Sequence, residues 1–151
     1  MKPAIFLDRD GTINYDAGYT YKLEDLKIYD DIIPILKKYY DSGYIIIVIS
    51  NQSGINRGYF TVNDMKKFND GIKRIFMEHG IVISDFYFCP HKPEENCECR
   101  KPKTGMVEQA VKKYGIDLKN SIVIGDRDDI DGELARNLGI KFIKVHGYSA
   151  P

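Results

Sequence analysis

All three cysteines of the chain fall within residues 89–99, with a histidine among them: Cys89-Pro-His91, then Cys97-Glu-Cys99. Three thiolates and one imidazole are the four soft or borderline ligands of a closed tetrahedral zinc site, and the C-x-H and C-x-C pairs let two short turns grip one ion. A disulfide framework fits poorly, because three cysteines cannot all pair. Cys97 and Cys99, two positions apart, also lie too close for relaxed S–S geometry. Four protein ligands leave no coordination position for water, so the expected zinc pins a loop and does no chemistry.

A second cluster opens the chain. Asp8-Arg9-Asp10-Gly11-Thr12 places two carboxylates two residues apart, on the same side of an extended segment. Asp-Gly is also a common turn dipeptide, so this run alone leaves a plain strand-to-turn transition open. A calcium loop is excluded by spacing, since its twelfth position is Tyr19 and not glutamate. Three further runs bear on the choice. Ser50-Asn51-Gln52-Ser53-Gly54 supplies a hydroxyl and amides suited to donating to an oxyanion. Arg100-Lys101 brings two fixed cations just past the cysteines. Gly125-Asp126-Arg127-Asp128-Asp129-Ile130-Asp131 carries more carboxylates than a solvated helix start needs. Magnesium takes one or two carboxylates plus water and substrate phosphate, so Asp8 with Asp126 forms a candidate site holding the ion against a phosphoryl group.

These runs must be presented by a scaffold. Short β-branched runs alternate with helical periodicities, predicting strands over 4–8, 44–50, 85–89, 121–125 and 141–145. Helices are expected over 32–41, 62–79, 105–114 and 131–138, the second with Met65, Phe68, Ile72, Ile75 and Phe76 on one face. Thr61 and Asp64 suit a helix-capping pair, and Gly43, Gly80, Gly115 and Gly139 stand where helices should stop. The expected fold is α/β, a doubly wound, Rossmann-like parallel five-stranded sheet in a single domain over 1–151. Ligands of such sheets bind beyond the carboxyl ends of the strands, where all four runs would meet.

At 151 residues the chain suffices for one domain with a real core. Lysine plus arginine and aspartate plus glutamate each number 22, so no global basic excess points to nucleic acid or anionic lipid. The longest apolar run, Tyr44 to Ile49, is too short for a membrane span or a secretory core. A cytoplasmic location is expected, in keeping with cysteines used as metal ligands. His79 and His146 are expected at the surface or in capping roles, and most of the eleven tyrosines in packing.

Taken in order, the four runs resemble the haloacid-dehalogenase-like phosphohydrolases: D-x-D-G-T at Asp8 to Thr12, the serine at Ser50, the lysine at Lys101, and G-D with a following aspartate at Gly125-Asp126 to Asp131. The C-P-H and C-x-C-R-K-P block resembles the zinc-containing branch with the heptose bisphosphate and histidinol-phosphate phosphatases. The resemblance spans nearly the whole chain. It implies a magnesium-dependent phosphomonoesterase working through an aspartyl phosphate. Asp8 would be the nucleophile and Asp10 the general acid and then base. Ser50 and Lys101 would neutralise phosphoryl charge. Magnesium would take Asp8, the Asp10 carbonyl and Asp126, with Asp131 in support.

With no room for a separate cap, substrate choice should lie in the loops. Arg9, Asp16, Gly18, Tyr19, Asn51, Gln52, Ser53, Arg57, Arg100 and Arg127 are the candidate contacts to a sugar or its second phosphate, and arginine forks suit an anion. Arg57 has a plain alternative as a solvated loop residue. The leading substrate is D-glycero-D-manno-heptose 1,7-bisphosphate, by resemblance after Asp10 and Ser50. The short stretch between His91 and Cys97 resembles the histidinol-phosphate branch, and a catalytically silent zinc-stapled binding module is the alternative from another class. The partner is a small phosphorylated molecule, with no membrane, no nucleic acid and a monomeric enzyme expected.

Overall fold

A computed structural model of the chain describes residues 1–146. Five strands, β1 (Ala4–Leu7), β2 (Ile45–Asn51), β3 (Ile83–Cys89), β4 (Ile122–Gly125) and β5 (Lys141–Lys144), form a sheet of order β3-β2-β1-β4-β5. Every neighbouring pair is parallel, so all carboxyl ends share one rim. Between consecutive strands run α1 (Ile32–Asp41), α2 (Val62–Glu78), α3 (Gly105–Tyr114) and α4 (Glu133–Leu138).

Alternation along the strands divides the core in two. Ile5, Leu7, Ile46, Val48 and Ile124 pack with Leu36 of α1 and Phe68, Ile72 and Phe76 of α2. Ala4, Phe6, Ile47, Ile49 and Val123 pack with Met106, Val107 and Ala110 of α3 and Leu134 of α4. Both faces are covered, which is why the central strands read as unbroken apolar runs. The order steps outward from β1 in both directions, making its end beside β4 a crevice where chain segments diverge to opposite faces.

Capping chemistry sets the helix ends. The Thr61 hydroxyl accepts the Asp64 N–H at 3.0 Å and the Asp64 carboxylate accepts the Thr61 N–H at 3.0 Å, which starts α2. Gly115 and Gly139 close α3 and α4 in left-handed conformations.

The structure corrects some boundaries. The third strand begins at Ile83, two residues before its expected start, because exposed Ser84 at the sheet edge breaks the apolar pattern. The last helix begins at Glu133 and not Asp131. Residues Asp128–Gly132 form a π-helical turn in which the Arg127 carbonyl accepts the Asp131 and Gly132 N–H groups. Such turns recur at functional sites, and this one carries the Asp131 side chain inward. His146 is no surface residue. Its ring stacks on Tyr29 at 4.0 Å, with Nδ1 2.9 Å from Asp31 and Nε2 2.7 Å from the Thr12 carbonyl.

Candidate active site

The strand β1 ends in a tight turn. The Asp8 N–H still bonds the Ile124 carbonyl at 3.0 Å, and the Arg9 carbonyl then accepts N–H groups from Thr12 and Ile13. Gly11 makes this possible at φ 85°, and a side chain there would also collide with the Asp126 carboxylate. The Thr12 hydroxyl lies 2.9 Å from Asp8 Oδ2 and 3.2 Å from Asp126 Oδ1, linking the first and fourth motifs.

Lys101 completes the centre. Its Nζ lies 2.7 Å from Asp8 Oδ1 and 2.9 Å from Asp131 Oδ1, and its side chain is 2% exposed. Burial alone would discharge this amine, but Asp131 and then Asp8 outweigh it and hold the pKa above its ordinary value. Asp126 has no such cation. Burial, then the Asp8 charge, push its carboxyl up to about 7.

Carboxylate oxygens of Asp8, Asp126 and Asp131 lie within 4.8 Å of one another. An all-oxygen set beside a cavity, with one member pushed toward protonation by burial and the neighbouring Asp8 charge, fits a hard divalent ion such as magnesium. The second candidate metal site has the other chemistry. Cys89 Sγ, His91 Nδ1, Cys97 Sγ and Cys99 Sγ likewise converge within 4.8 Å, and none of the three cysteines is in a disulfide. This Cys3His donor set fits zinc.

The cavity, about 480 Å³, opens at the carboxyl rim of the sheet. The four motifs meet there: Asp8, Asp10, Ser50, Lys101, Asp126 and Asp131 all line it, together with Asp16, Gly18, Tyr19, Asn51, Gln52, Ser53, Arg100 and Arg127. Gln52 donates its amide to the Ser50 hydroxyl and, at 3.1 Å, to Asp10 Oδ2. Asp16 shapes the loop above by accepting the Gly18 N–H at 2.9 Å, and its pKa is raised by burial and then by Asp10. Arg100 donates to the His91 carbonyl at 3.3 Å, which ties one lining cation to the cysteine loop.

Two expected substrate contacts lie outside the lining, and a third lines it with its amide engaged elsewhere. Arg9 is 1% exposed and lies beneath the cavity floor, its guanidinium spent on Asp10, the Thr20 carbonyl and Asn69. The alternation that puts Asp8 and Asp10 on one side of the strand puts Arg9 on the other, over Phe68. Arg57 lies outside the lining, its Nε donating to Ser53 Oγ at 3.2 Å. Asn51 lines the cavity, but both ends of its amide are engaged by the Lys101 backbone. Ile130 is an added apolar lining residue, carried by the unforeseen π-helical turn.

A family model described as polynucleotide kinase 3 phosphatase matches residues 4–146. The chain belongs to this phosphatase family. The haloacid-dehalogenase-like resemblance of the four motifs agrees with that membership. Among relatives, a Thermoplasma acidophilum protein is 52% identical over 138 residues, 91% of this chain and 86% of its own. It is named a probable D-glycero-D-manno-heptose-1,7-bisphosphate 7-phosphatase. A Helicobacter pylori protein, 45% identical over 83% of this chain and 73% of its own, is named the phosphatase of the β anomer. The crystal structure of D,D-heptose 1,7-bisphosphate phosphatase from B. bronchiseptica, complexed with magnesium and phosphate, superposes with a TM-score of 0.84 at 28% identity, over 94% of this chain and 79% of that one.

Proposed function

We propose that this chain is a magnesium-dependent phosphomonoesterase that removes the 7-phosphate of D-glycero-D-manno-heptose 1,7-bisphosphate through an aspartyl phosphate. The observation that carries the reading is the convergence of Asp8, Lys101, Asp126 and Asp131 in one cavity, with Lys101 Nζ 2.7 Å from Asp8. Substrate identity is supported by the names of the relatives and of the magnesium- and phosphate-bound structure.

Asp8 is the nucleophile. A carboxylate nucleophile needs no base to activate it, and Asp8 Oδ1 lies 2.7 Å from Lys101 Nζ. Lys101 then faces the phosphoryl oxygens, and the Ser50 hydroxyl with backbone N–H groups near Arg9 and Asp10 shares in neutralising them. Magnesium would be held by Asp8, the Asp10 carbonyl and Asp126, with Asp131 supporting through Lys101, and would supply charge neutralisation at the transferring phosphoryl group. Asp10 protonates the leaving alkoxide, then takes a proton from the water that hydrolyses the aspartyl phosphate.

Zinc would be held by Cys89, His91, Cys97 and Cys99, and would fix the loop that presents Arg100 and Lys101. Arg100, which also donates to the His91 carbonyl, and Arg127, which would exchange its fork on Asp129, are the lining arginines to meet the sugar's other phosphate, with Tyr19 and Asp16 facing the sugar. A monomer acting on a small phosphorylated substrate completes this reading. The unpaired cysteines support a cytoplasmic setting.

The deciding experiment is a phosphate-release panel with magnesium: both anomers of heptose 1,7-bisphosphate, histidinol phosphate and a 3′-phosphorylated oligonucleotide. A heptose bisphosphate should be turned over with the highest kcat/KM, and Asp8→Asn should abolish release. Preference for histidinol phosphate or the oligonucleotide would reassign the substrate. No release from any of them would leave a zinc-stapled binding module.

A further inference from the structure

The Arg9 side chain, excluded from the cavity, makes a set of contacts centred on one neighbour. Its Nε donates to Asp10 Oδ1 at 3.0 Å and one terminal nitrogen donates to Asp10 Oδ2 at 3.1 Å. That same nitrogen lies 2.8 Å from the Thr20 carbonyl, and the other donates to Asn69 Oδ1 of α2 at 3.1 Å. The Phe68 ring lies 4.6 Å beneath the guanidinium carbon. We infer that Arg9 is a positioning residue, a buried fork that fixes the plane of the Asp10 carboxylate and registers it to the loop above the cavity.

The inference rests on the phosphatase reading, in which Asp10 is the acid and base. As the bond from phosphorus to the alkoxide breaks and the bond to Asp8 forms, the Asp10 proton passes to the alkoxide oxygen. As water then attacks phosphorus, the bond from phosphorus to Asp8 breaks, inorganic phosphate leaves with Asp8 restored as carboxylate, and the Asp10 carboxylate accepts the water proton. Both transfers require one carboxyl oxygen within hydrogen-bond reach of a moving partner, so small misplacement is costly.

A side chain at the end of a strand has two free torsions and would otherwise wander. The planar guanidinium removes that freedom, since two parallel N–H groups define the carboxylate plane. Asn14 Nδ2 and Gln52 Nε2, each at 3.1 Å, brace the same two oxygens. Lysine could neutralise the charge but could not define the plane, and it would leave the Thr20 carbonyl or Asn69 without its donor. The Thr20 contact adds a second link. Asp16, Gly18 and Tyr19, just before it, line the cavity, so the substrate loop and the Asp10 carboxylate are held by one nitrogen.

The test exploits leaving groups. Departure of p-nitrophenolate needs no proton, whereas departure of a sugar alkoxide does. Single-turnover phosphoryl transfer would be measured in wild type and Arg9→Lys with p-nitrophenyl phosphate and with heptose 1,7-bisphosphate. The lysine variant should slow transfer from the sugar phosphate by about 100-fold, within the span of general acid catalysis, and from the aryl phosphate by no more than about threefold. Equal losses on both esters, or no loss on either, would overturn the positioning role. If Arg9→Lys does not fold, Asn69→Ala, which removes only the rear contact, should show a smaller loss confined to the sugar ester, and equal losses there would overturn the inference. A wild-type enzyme inert toward both esters would instead overturn the phosphatase reading itself, and the positioning role with it.

Discussion

The side-chain amide of Asn51 grips the backbone of Lys101 from both sides: Nδ2 donates to its carbonyl at 3.2 Å, and Oδ1 accepts its N–H at 2.9 Å. The end of β2 thereby holds the residue that faces Asp8, although no regular element carries Lys101 itself. Removing this clamp by Asn51→Ala should free the lysine without emptying the cavity. Two partly buried hydrogen bonds are worth about 1–3 kcal/mol together, and full loss of that from the barrier is roughly a 5- to 160-fold fall in kcat. KM should change little, and steady-state kinetics would reveal a wrong assignment by a rise in KM at constant kcat.

Lys101 itself is the cation between the buried Asp131 and the partly buried Asp8, 2.7 Å from Asp8 and 2.9 Å from Asp131. Its replacement by methionine leaves both carboxylates without it. Stability should fall by about 3–5 kcal/mol, as when one partner of a buried ion pair is removed. Magnesium should restore part of the loss by binding the folded form alone. Urea titrations with and without the ion measure both effects, and an unchanged midpoint would refute the buried pairing.

Gly11 combines φ 85° with direct contact of any added side chain on Asp126. Gly11→Ala should therefore cost about 1–2 kcal/mol of backbone strain. It should also push away a carboxylate proposed to hold magnesium. The expected result is a folded protein with magnesium affinity reduced at least tenfold, read by calorimetric titration; wild-type affinity would show that Asp126 is not a ligand.

How far the chain's own letters disclose this arrangement depends on whether local rules govern the feature. Alternating burial of Ala4 to Leu7 and the Thr61–Asp64 cap are local, so strands and helix starts are readable. The four motifs are legible too, because a sheet of parallel strands leaves one rim for their ends. Asn51 and Lys101 are 50 positions apart, and no spacing rule announces their pairing. Arg9 is different: it lies two positions past β1, where extending the strand's alternation gives its inward direction, but cationic character suggested an anion in solvent and not a carboxylate at its own neighbour. The π-helical turn over Asp128–Gly132 stayed hidden because the contact it serves, Asp131 on Lys101, joins residues 30 positions apart.

Magnesium binding should depend on pH through Asp126, whose carboxyl is pushed up to about 7 by burial and by Asp8. The folded chain then binds this proton more tightly than the unfolded chain, whose value is near 3.8. Stability of the metal-free protein should therefore decline as pH rises between about 4 and 7. Magnesium must displace the same proton, so its affinity should climb up to about pH 7 and then level off. Titrations in a pH series check this, and a flat profile would contradict it.

The cysteine loop offers a separate test. Cys97→Ser should lower bound zinc from about one ion per chain, as a four-ligand site requires, to well below that. The thermal midpoint should drop, and activity should not return on adding magnesium alone, because Arg100 and Lys101 follow the loop directly. Metal analysis with activity assays decides it, and full activity in zinc-free protein would remove the loop from catalysis.

Because all five strands run the same way, the opposite rim of the sheet, around Lys2, Tyr44 and Val82, is remote from every reacting group. A fluorophore or surface tether attached at Lys2 would leave the mouth of the cavity facing outward, so immobilised molecules would keep free diffusion of reactant and product.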